Sequence, residues 1–447
     1  MKNRMMQKTL LILLAAITAS FIFTACGQSD VGDQSAVSES ASAASSAPQS
    51  GNTSSAAPAS FHDLTGGSYD AKTEPPVITE YRTVDDGRAV YAGTCEEGAT
   101  VYAVKDEKII AASRSHYGSF LFEIAVHENE NPLEFSIYAK RDDKALSDPV
   151  PAQAAYYTDY KGISDWVWVG KDFHLFFSAT YDNYMRKDTL NSRQYERAKS
   201  TISERVQWLN NNLGAKTIYI LVPNPNEIYG EYMPDIGKQP DKESLHDQTA
   251  RLLSEAGAVV IDMKPILEQH KNDAFEIYHR TDSHWTEYAA YFAYQELFNY
   301  IAKDFPASAP RPIEDFGFSN ERRQAGDLYT DLSMHVENLY ETSVYSRLKF
   351  PTPVDIPKYK SDISTLIADE PTQERTFENP DGAGKPNVII LRDSYSIMMF
   401  DYIAERCAET TLRAMWDFTF DRELFKRKNV DYVIYIVCDM NLKNLYK

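Results

Sequence analysis

Four short apolar runs constrain this chain more than any other feature. Thr217 to Val222, Ala258 to Asp262, Asn387 to Leu391 and Tyr432 to Val437 are nearly continuous stretches of β-branched, aliphatic and aromatic residues. A strand that is apolar on both faces must be covered on both, as in a parallel sheet packed between helices. Helix-period segments lie between the runs: Gln194 to Asn212 is amphipathic, and further helices are expected over Lys242 to Ala256, Glu287 to Lys303 and about Ser396 to Cys407. The alternation predicts an α/β fold with a doubly wound parallel sheet and functional groups at its strand carboxyl ends. The stretch Phe305 to Lys385, rich in Pro, Asp and Tyr, reads as a long irregular insertion that rims the cleft and selects substrate.

Upstream of Tyr160 the rhythm differs. Between about Glu74 and Ala155, turn residues such as Asp85-Asp86-Gly87, Gly93 and Gly98 punctuate short β-forming runs, and Phe135-Ser136-Ile137-Tyr138-Ala139 makes a late strand. The unit has the size of a small all-β sandwich, and Glu96-Glu97-Gly98-Ala99-Thr100-Val101 and Gly118-Ser119-Phe120 resemble segments of bacterial immunoglobulin-like domains. His116 and His127 read as surface loop residues.

The N-terminus bears on compartment. Lys2, Arg4 and Lys8 precede the apolar run Leu10 to Phe23, of signal-peptide length, and Phe23-Thr24-Ala25-Cys26-Gly27 reads as a lipobox. Residues 1–25 are then a lipoprotein signal and Cys26 the lipidated residue, which predicts an extracytoplasmic protein held on a bacterial membrane by acyl chains. The alternative is a plain secretory signal with an incidental cysteine. Residues 26–73, dominated by Ser, Ala, Gly, Gln and Pro, bury too little apolar surface to fold and are expected to be a flexible tether. A formal charge of −19 argues against nucleic acid as a partner. Cys407 and Cys438 are either a disulfide or two buried thiols, no spacing suggests a metal site, and no cofactor is implied.

Two motifs about a hundred residues apart carry chemistry. Thr281-Asp282-Ser283-His284-Trp285-Thr286 offers a carboxylate and an imidazole two residues apart, and Arg392-Asp393-Ser394-Tyr395-Ser396 places a hydroxyl where a buried strand meets a helix. A serine attacks only if a base takes its proton, and an imidazole does this best when a carboxylate fixes its tautomer. Singly, Asp-x-His is as well explained by a capped turn, and Asp-Ser by a helix N-cap.

In context the motifs resemble a known family. Tyr278 to Thr286 followed by Ala289-Ala290 is similar to the histidine signature of the alginate O-acetyltransferase branch of SGNH-hydrolase-like proteins, and of the related DHHW group. Asp165 to Asp172 with Leu175-Phe176-Phe177, Leu221 to Tyr229 with Met233-Pro234, Gly326-Asp327-Leu328, and Asn429 to Tyr435 resemble further segments of that family in the same order. Ser283 stands where the DHHW name implies His, and Arg392 where the family has a small residue. The resemblance implies an SGNH-hydrolase-like, flavodoxin-like parallel sheet over about 160–447, with the insertion at about 305–385 and the sandwich at 74–155 before it. It also implies a catalytic triad of Ser394 as nucleophile, His284 as base and Asp282 as its orienting partner.

The Ser394 backbone N–H is the first oxyanion donor expected, and Asn224 is either a second donor or a turn residue. Arg280 and Arg392 contact substrate oxygens or form structural ion pairs; Trp285 stacks on a sugar or is buried against the sheet; Tyr395 is a substrate-binding candidate. The resemblance implies acetylation of a cell-surface polysaccharide, with a membrane O-acyltransferase supplying acyl groups. An acetylesterase shares the acyl-enzyme, and a non-catalytic glycan-binding lipoprotein is the alternative from another class.

Overall fold

The computed structural model describes residues 60–84, 87–156, 167–234, 239–332, 339–350, 374–414 and 418–446. The expected signal segment and Cys26 lie outside the described residues. Among the described residues, no helix is long and apolar enough to cross a membrane.

The first part is a two-sheet sandwich. Strands β1 (Val77–Val84), β2 (Arg88–Thr94) and β5 (Ser119–Ala125) form one antiparallel sheet in the order β1-β2-β5. Strands β3 (Thr100–Lys105), β4 (Lys108–Arg114), β6 (Leu133–Lys140) and β7 (Val150–Ala154) form the other in the order β4-β3-β6-β7. Alternate residues point inward, so Tyr91, Val101, Phe120, Phe122, Ile124, Phe135 and Ile137 make one core between the sheets. Residues 60–73, expected as tether, are instead docked on this unit. The short helix Phe61–Thr65 buries Leu64 against Tyr102 and Val104, and Thr73 N–H donates to Ala145 O at 2.9 Å.

The sandwich is joined to the C-terminal part of the chain by apolar packing. The outer face of its first sheet carries Val90, Ala92 and Leu121, which pack on Val167, Val169, Phe173 and Leu175 of the β8 (Val167–Val169) and β9 (Leu175–Phe177) hairpin and on Leu328 and Leu332. Apolar residues on both faces of one sheet force this arrangement, because the face turned away from the sandwich core also needs a cover. His116 is correspondingly not a surface loop residue: its ring lies 5.0 Å from that of Phe173, and its Nε2 accepts from Arg280 Nη1 at 2.7 Å.

The main sheet has the order β11-β10-β17-β15-β16-β14. Strands β10 (Lys216–Val222), β11 (Val259–Asp262), β15 (Asn387–Arg392), β16 (Glu409–Ala414) and β17 (Tyr432–Cys438) run parallel, while β14 (Glu374–Glu378) is an antiparallel edge. Successive residues face opposite layers. Ile218, Ile220, Ile390, Ile434 and Ile436 pack under the helices Met263–His270, Glu287–Ile301 and Phe400–Glu405, whereas Tyr219, Leu221, Ile389, Leu391, Val433 and Tyr435 pack under Ser192–Leu213, Leu245–Glu255 and Arg422–Arg427. The Ser192–Leu213 helix begins at an Asn191–Gln194 capping box and stops at Gly214, whose φ of 68° closes the left-handed C-cap.

One sequence reading is corrected and one open alternative is resolved. The insertion is not irregular where described: β12 (Phe316–Gln324) and β13 (Tyr340–Leu348) form a nine-pair antiparallel hairpin, and β14 joins the main sheet. Phe316, Phe318, Val344 and Leu348 pack on the core beside the Glu287–Ile301 helix, while polar residues fill the half of the hairpin that meets the histidine loop, and this mixed pattern hides it from an apolar-periodicity search. Cys407 and Cys438 are free buried thiols. Cys407 adjoins the start of β15 and Cys438 ends β17 beside it, so a strand of about 20 Å separates them.

Candidate active site

Strand β15 ends at Arg392, and Asp393 caps the 3-10 turn Ser394–Met399 that opens with Ser394. Asp393 is fully buried: Oδ1 accepts from Tyr395 N–H at 3.1 Å, and Oδ2 accepts from Cys438 N–H at 2.7 Å and Asn441 Nδ2 at 3.1 Å. The aspartate of the Asp-Ser pair thus ties the turn to the end of the neighbouring strand, and Ser394 is left partly exposed at the sheet edge.

The histidine motif folds back on itself. A bridge between Tyr278 and Trp285, the bond from Thr286 N–H to Ile277 O at 3.0 Å, and the Thr286 cap of the Glu287–Ile301 helix close residues 278–286 into a tight loop. Asp282 Oδ1 accepts from His284 N–H at 3.0 Å and lies 2.8 Å from His284 Nδ1. His284 Nε2 lies 2.8 Å from Ser394 Oγ. A carboxylate only accepts, so Nδ1 carries the proton and Nε2 is free to accept from the serine hydroxyl. The structure therefore brings Asp282, His284 and Ser394 into one hydrogen-bonded chain.

The charges around this chain are specific. Burial opposes the imidazolium, but the bond and charge of Asp282, with Asp327 and Asp393 nearby, outweigh it and push His284 from 6.5 up to about 9. Burial also works against the Asp282 anion, yet His284, His279 and Arg323 hold its carboxyl well below the usual range. Asp327 is raised by burial and by the Asp282 charge; its carboxylate accepts from Ser283 N–H at 2.8 Å and Ser283 Oγ at 2.6 Å. Asp282, His284 and Asp327 present donor atoms within 4.8 Å of one another. Arg323 Nη2 donates to Asp282 Oδ2 at 2.7 Å, so a cation there would sit beside a guanidinium.

The remaining sequence candidates are buried or engaged by other residues of the chain. Trp285 has no exposed surface, and its Nε1 donates to Tyr395 O at 2.8 Å, which rules out stacking on a sugar. Tyr395 is buried and its hydroxyl donates to Ser283 O. The Arg280 guanidinium is taken up by Glu276, Asp172 and His116. Arg392 is 3% exposed, with its guanidinium 4.9 Å from the Phe400 ring centre. Asn224 is buried at the end of β10; its Nδ2 donates to Asn183 Oδ1 at 3.1 Å and its N–H to Asp439 Oδ2 at 3.3 Å. Strand β17 separates it from the strand that carries Ser394.

Sequence reading missed Arg323, Asp327 and Glu341 as members of this site. Gly326-Asp327-Leu328 offered the one signal, and the structure supplies its reason. A Cβ at Gly326 would stand 2.5 Å from Asp282 Cβ, so only glycine allows the backbone to pass there.

Residues 167–374 match the family described as ALGX, an SGNH hydrolase-like domain of the acetyltransferase AlgX. That segment is similar to an SGNH hydrolase-like domain. The matched segment contains Asp282 and His284, and Ser394 lies beyond it. Similar solved structures include PatB1 of Bacillus cereus, 15% identical with a TM-score of 0.49 over 63% of this chain and 98% of that one. The O-acetyltransferase domain of Pseudomonas putida AlgJ is 19% identical with a TM-score of 0.39 over 63% and 92%. A DHHW family protein of Eubacterium siraeum is 16% identical with a TM-score of 0.40 over 69% and 94%. No curated protein matches the chain.

Proposed function

We propose that this AlgX-like domain is a serine-dependent O-acetyltransferase that acts outside the cytoplasm on a cell-surface glycan. The observation that carries this reading is the unbroken chain from Asp282 through His284 to Ser394, each link 2.8 Å, at the carboxyl edge of the parallel sheet. Ser394 Oγ attacks the acetyl carbonyl as His284 Nε2 takes its proton, and Asp282 stabilises the imidazolium. The Ser394 N–H faces the oxyanion. The leaving alcohol departs with that proton, and the acetyl group stays on Ser394. An acceptor hydroxyl then gives its proton to His284 Nε2, attacks the acyl-enzyme and releases the serine.

Location and partners extend the same reading. Lipidation at Cys26 anchors the chain on the outer face of the cell membrane, a membrane O-acyltransferase supplies the acyl groups, and residues 26–59 give the domain its reach. The strand orders β1-β2-β5 and β4-β3-β6-β7 support an immunoglobulin-like module before the catalytic unit.

The test uses p-nitrophenyl acetate as donor, with and without envelope-glycan oligosaccharides. Acetyl esters on the sugar, lost in Ser394→Ala, are the expected result. Free acetate alone marks an acetylesterase, and neither product from folded protein marks a binding protein.

A further inference from the structure

The hairpin inserted before β14 stands directly behind the histidine loop. Arg323 and Glu341 are cross-strand partners in its register, and Arg323 Nε donates to Glu341 Oε1 at 2.6 Å. Glu341 has no exposed surface, and its Oε2 accepts from the N–H groups of Arg280 and Thr281, each at 2.9 Å. Ser343 Oγ lies 2.8 Å from His279 Nδ1, and Ser346 N–H donates to Glu287 Oε2 at 2.7 Å. One strand of the hairpin therefore holds the loop from residue 279 to residue 287. The other strand sends Arg323 Nη2 to Asp282 Oδ2 at 2.7 Å, on the oxygen that His284 does not use. The Gly326 backbone packs on the same aspartate.

We propose that Arg323 is a positioning residue of the acid–base pair: its guanidinium fixes the outer oxygen of Asp282, and its charge keeps the His284 imidazole available as a base. This rests on the function proposed above. The physical need is clear from the groups that face the imidazole. Asp282, Asp327 and Asp393 all favour the charged form, neutral His279 packs behind Asp282, and Glu341 adds a further carboxylate. Arg323 is the guanidinium bonded to Asp282, and it is itself held between Asp282 and Glu341. Its charge opposes a second cation on His284 and offsets part of the anionic excess. The rigid cross-strand pair leaves Asp282 a single orientation, which catalysis at ångström tolerance requires.

The test compares Arg323→Gln and Arg323→Lys with wild type in the full chain. Two readouts are used: the His284 titration followed by NMR, and kcat and KM for p-nitrophenyl acetate against pH. Arg323→Gln should raise the His284 midpoint by about one unit and lower kcat about tenfold with KM nearly unchanged. Arg323→Lys should restore the midpoint, since it restores the charge, and only part of kcat, since one ammonium cannot reproduce the fork. If Arg323→Gln leaves the midpoint in place, the inference is wrong even where Ser394→Ala is inactive. If the midpoint moves while Ser394→Ala keeps full turnover, Arg323 tunes His284 but the proposed triad fails. Should Arg323→Gln not fold, the Lys variant decides alone: wild-type kcat there overturns the positioning role.

Discussion

Trp285 Nε1 donates to the main-chain oxygen of Tyr395 at 2.8 Å, tying the residue after the proposed base to the residue after the proposed nucleophile. The Tyr395 hydroxyl returns the link by donating to Ser283 O. The His284–Ser394 distance is therefore set by a buried two-way stitch, with no need of substrate to assemble it. Trp285→Phe keeps much of the ring packing but orphans a buried carbonyl, at a cost of about 1–3 kcal/mol. Thermal unfolding should shift down by a few degrees, and surrogate kcat should fall about tenfold with KM little changed.

The pH profile follows from the charges around His284. The imidazole must be neutral to accept the Ser394 proton, and its surroundings push it up to about 9. Surrogate kcat/KM should thus rise through neutral pH and level off only near pH 9. Asp327→Asn removes one of the anions that raise it, so the rising limb should move to lower pH by about half a unit or more. A limb near 6.5 in wild type would show that His284 is not so perturbed.

His246 predicts a separate effect on stability. It is buried with Nδ1 2.5 Å from Asp439 Oδ1 and Nε2 2.8 Å from Asp262 Oδ1, at the ends of β17 and β11. Burial opposes its charge, but the two carboxylates outweigh this and push it from 6.5 up to about 10. A raised value means that the stabilisation is complete below the unfolded value of 6.5 and is lost as pH rises through about 10. Asp262 is held below its usual value despite burial, so its share is lost only as pH falls through the acid range. Unfolding free energies of wild type and His246→Gln from denaturant titration should differ most between about pH 4.5 and 6.5, by roughly 3 kcal/mol, and converge towards pH 10.

A fragment that starts at Ala155 loses the cover of Val167, Val169, Phe173 and Leu175, and it also loses the His116 partner of Arg280. Exposed apolar patches of this kind drive association. Size-exclusion chromatography should show aggregates for 155–447 and a monodisperse species for 60–447. A soluble fragment with wild-type turnover would show that the sandwich leaves the site intact when removed.

The sheet was legible because strands buried on both faces leave continuous apolar runs, and four of its six strands announced themselves that way. Strand β16, with Glu409, Thr410, Thr411 and Arg413 among its six residues, gave no such signal. The motif pairing of Asp282 and His284 with Ser394 was legible because acid, base and nucleophile are chemically distinct residues at strand and helix ends. Arg323 and Glu341 were not, since an alternating polar hairpin looks like any solvated loop until its partner is known. Trp285 and Arg392 were legible only as alternatives, which burial then resolved: no sequence pattern separates an aromatic that covers a sheet from one that meets a sugar.

The central claim is that Ser394 carries the acyl group. The direct measurement is peptide mass spectrometry after rapid acid quench with p-nitrophenyl acetate, run on wild type, Ser394→Ala and His284→Ala. Wild type should carry one acetyl adduct on the peptide containing Ser394 and Ser394→Ala none, with acylation slowed at least about a thousandfold in His284→Ala. Equal acetylation of the Ser394→Ala protein, or turnover at the wild-type rate without an adduct at Ser394, would contradict it.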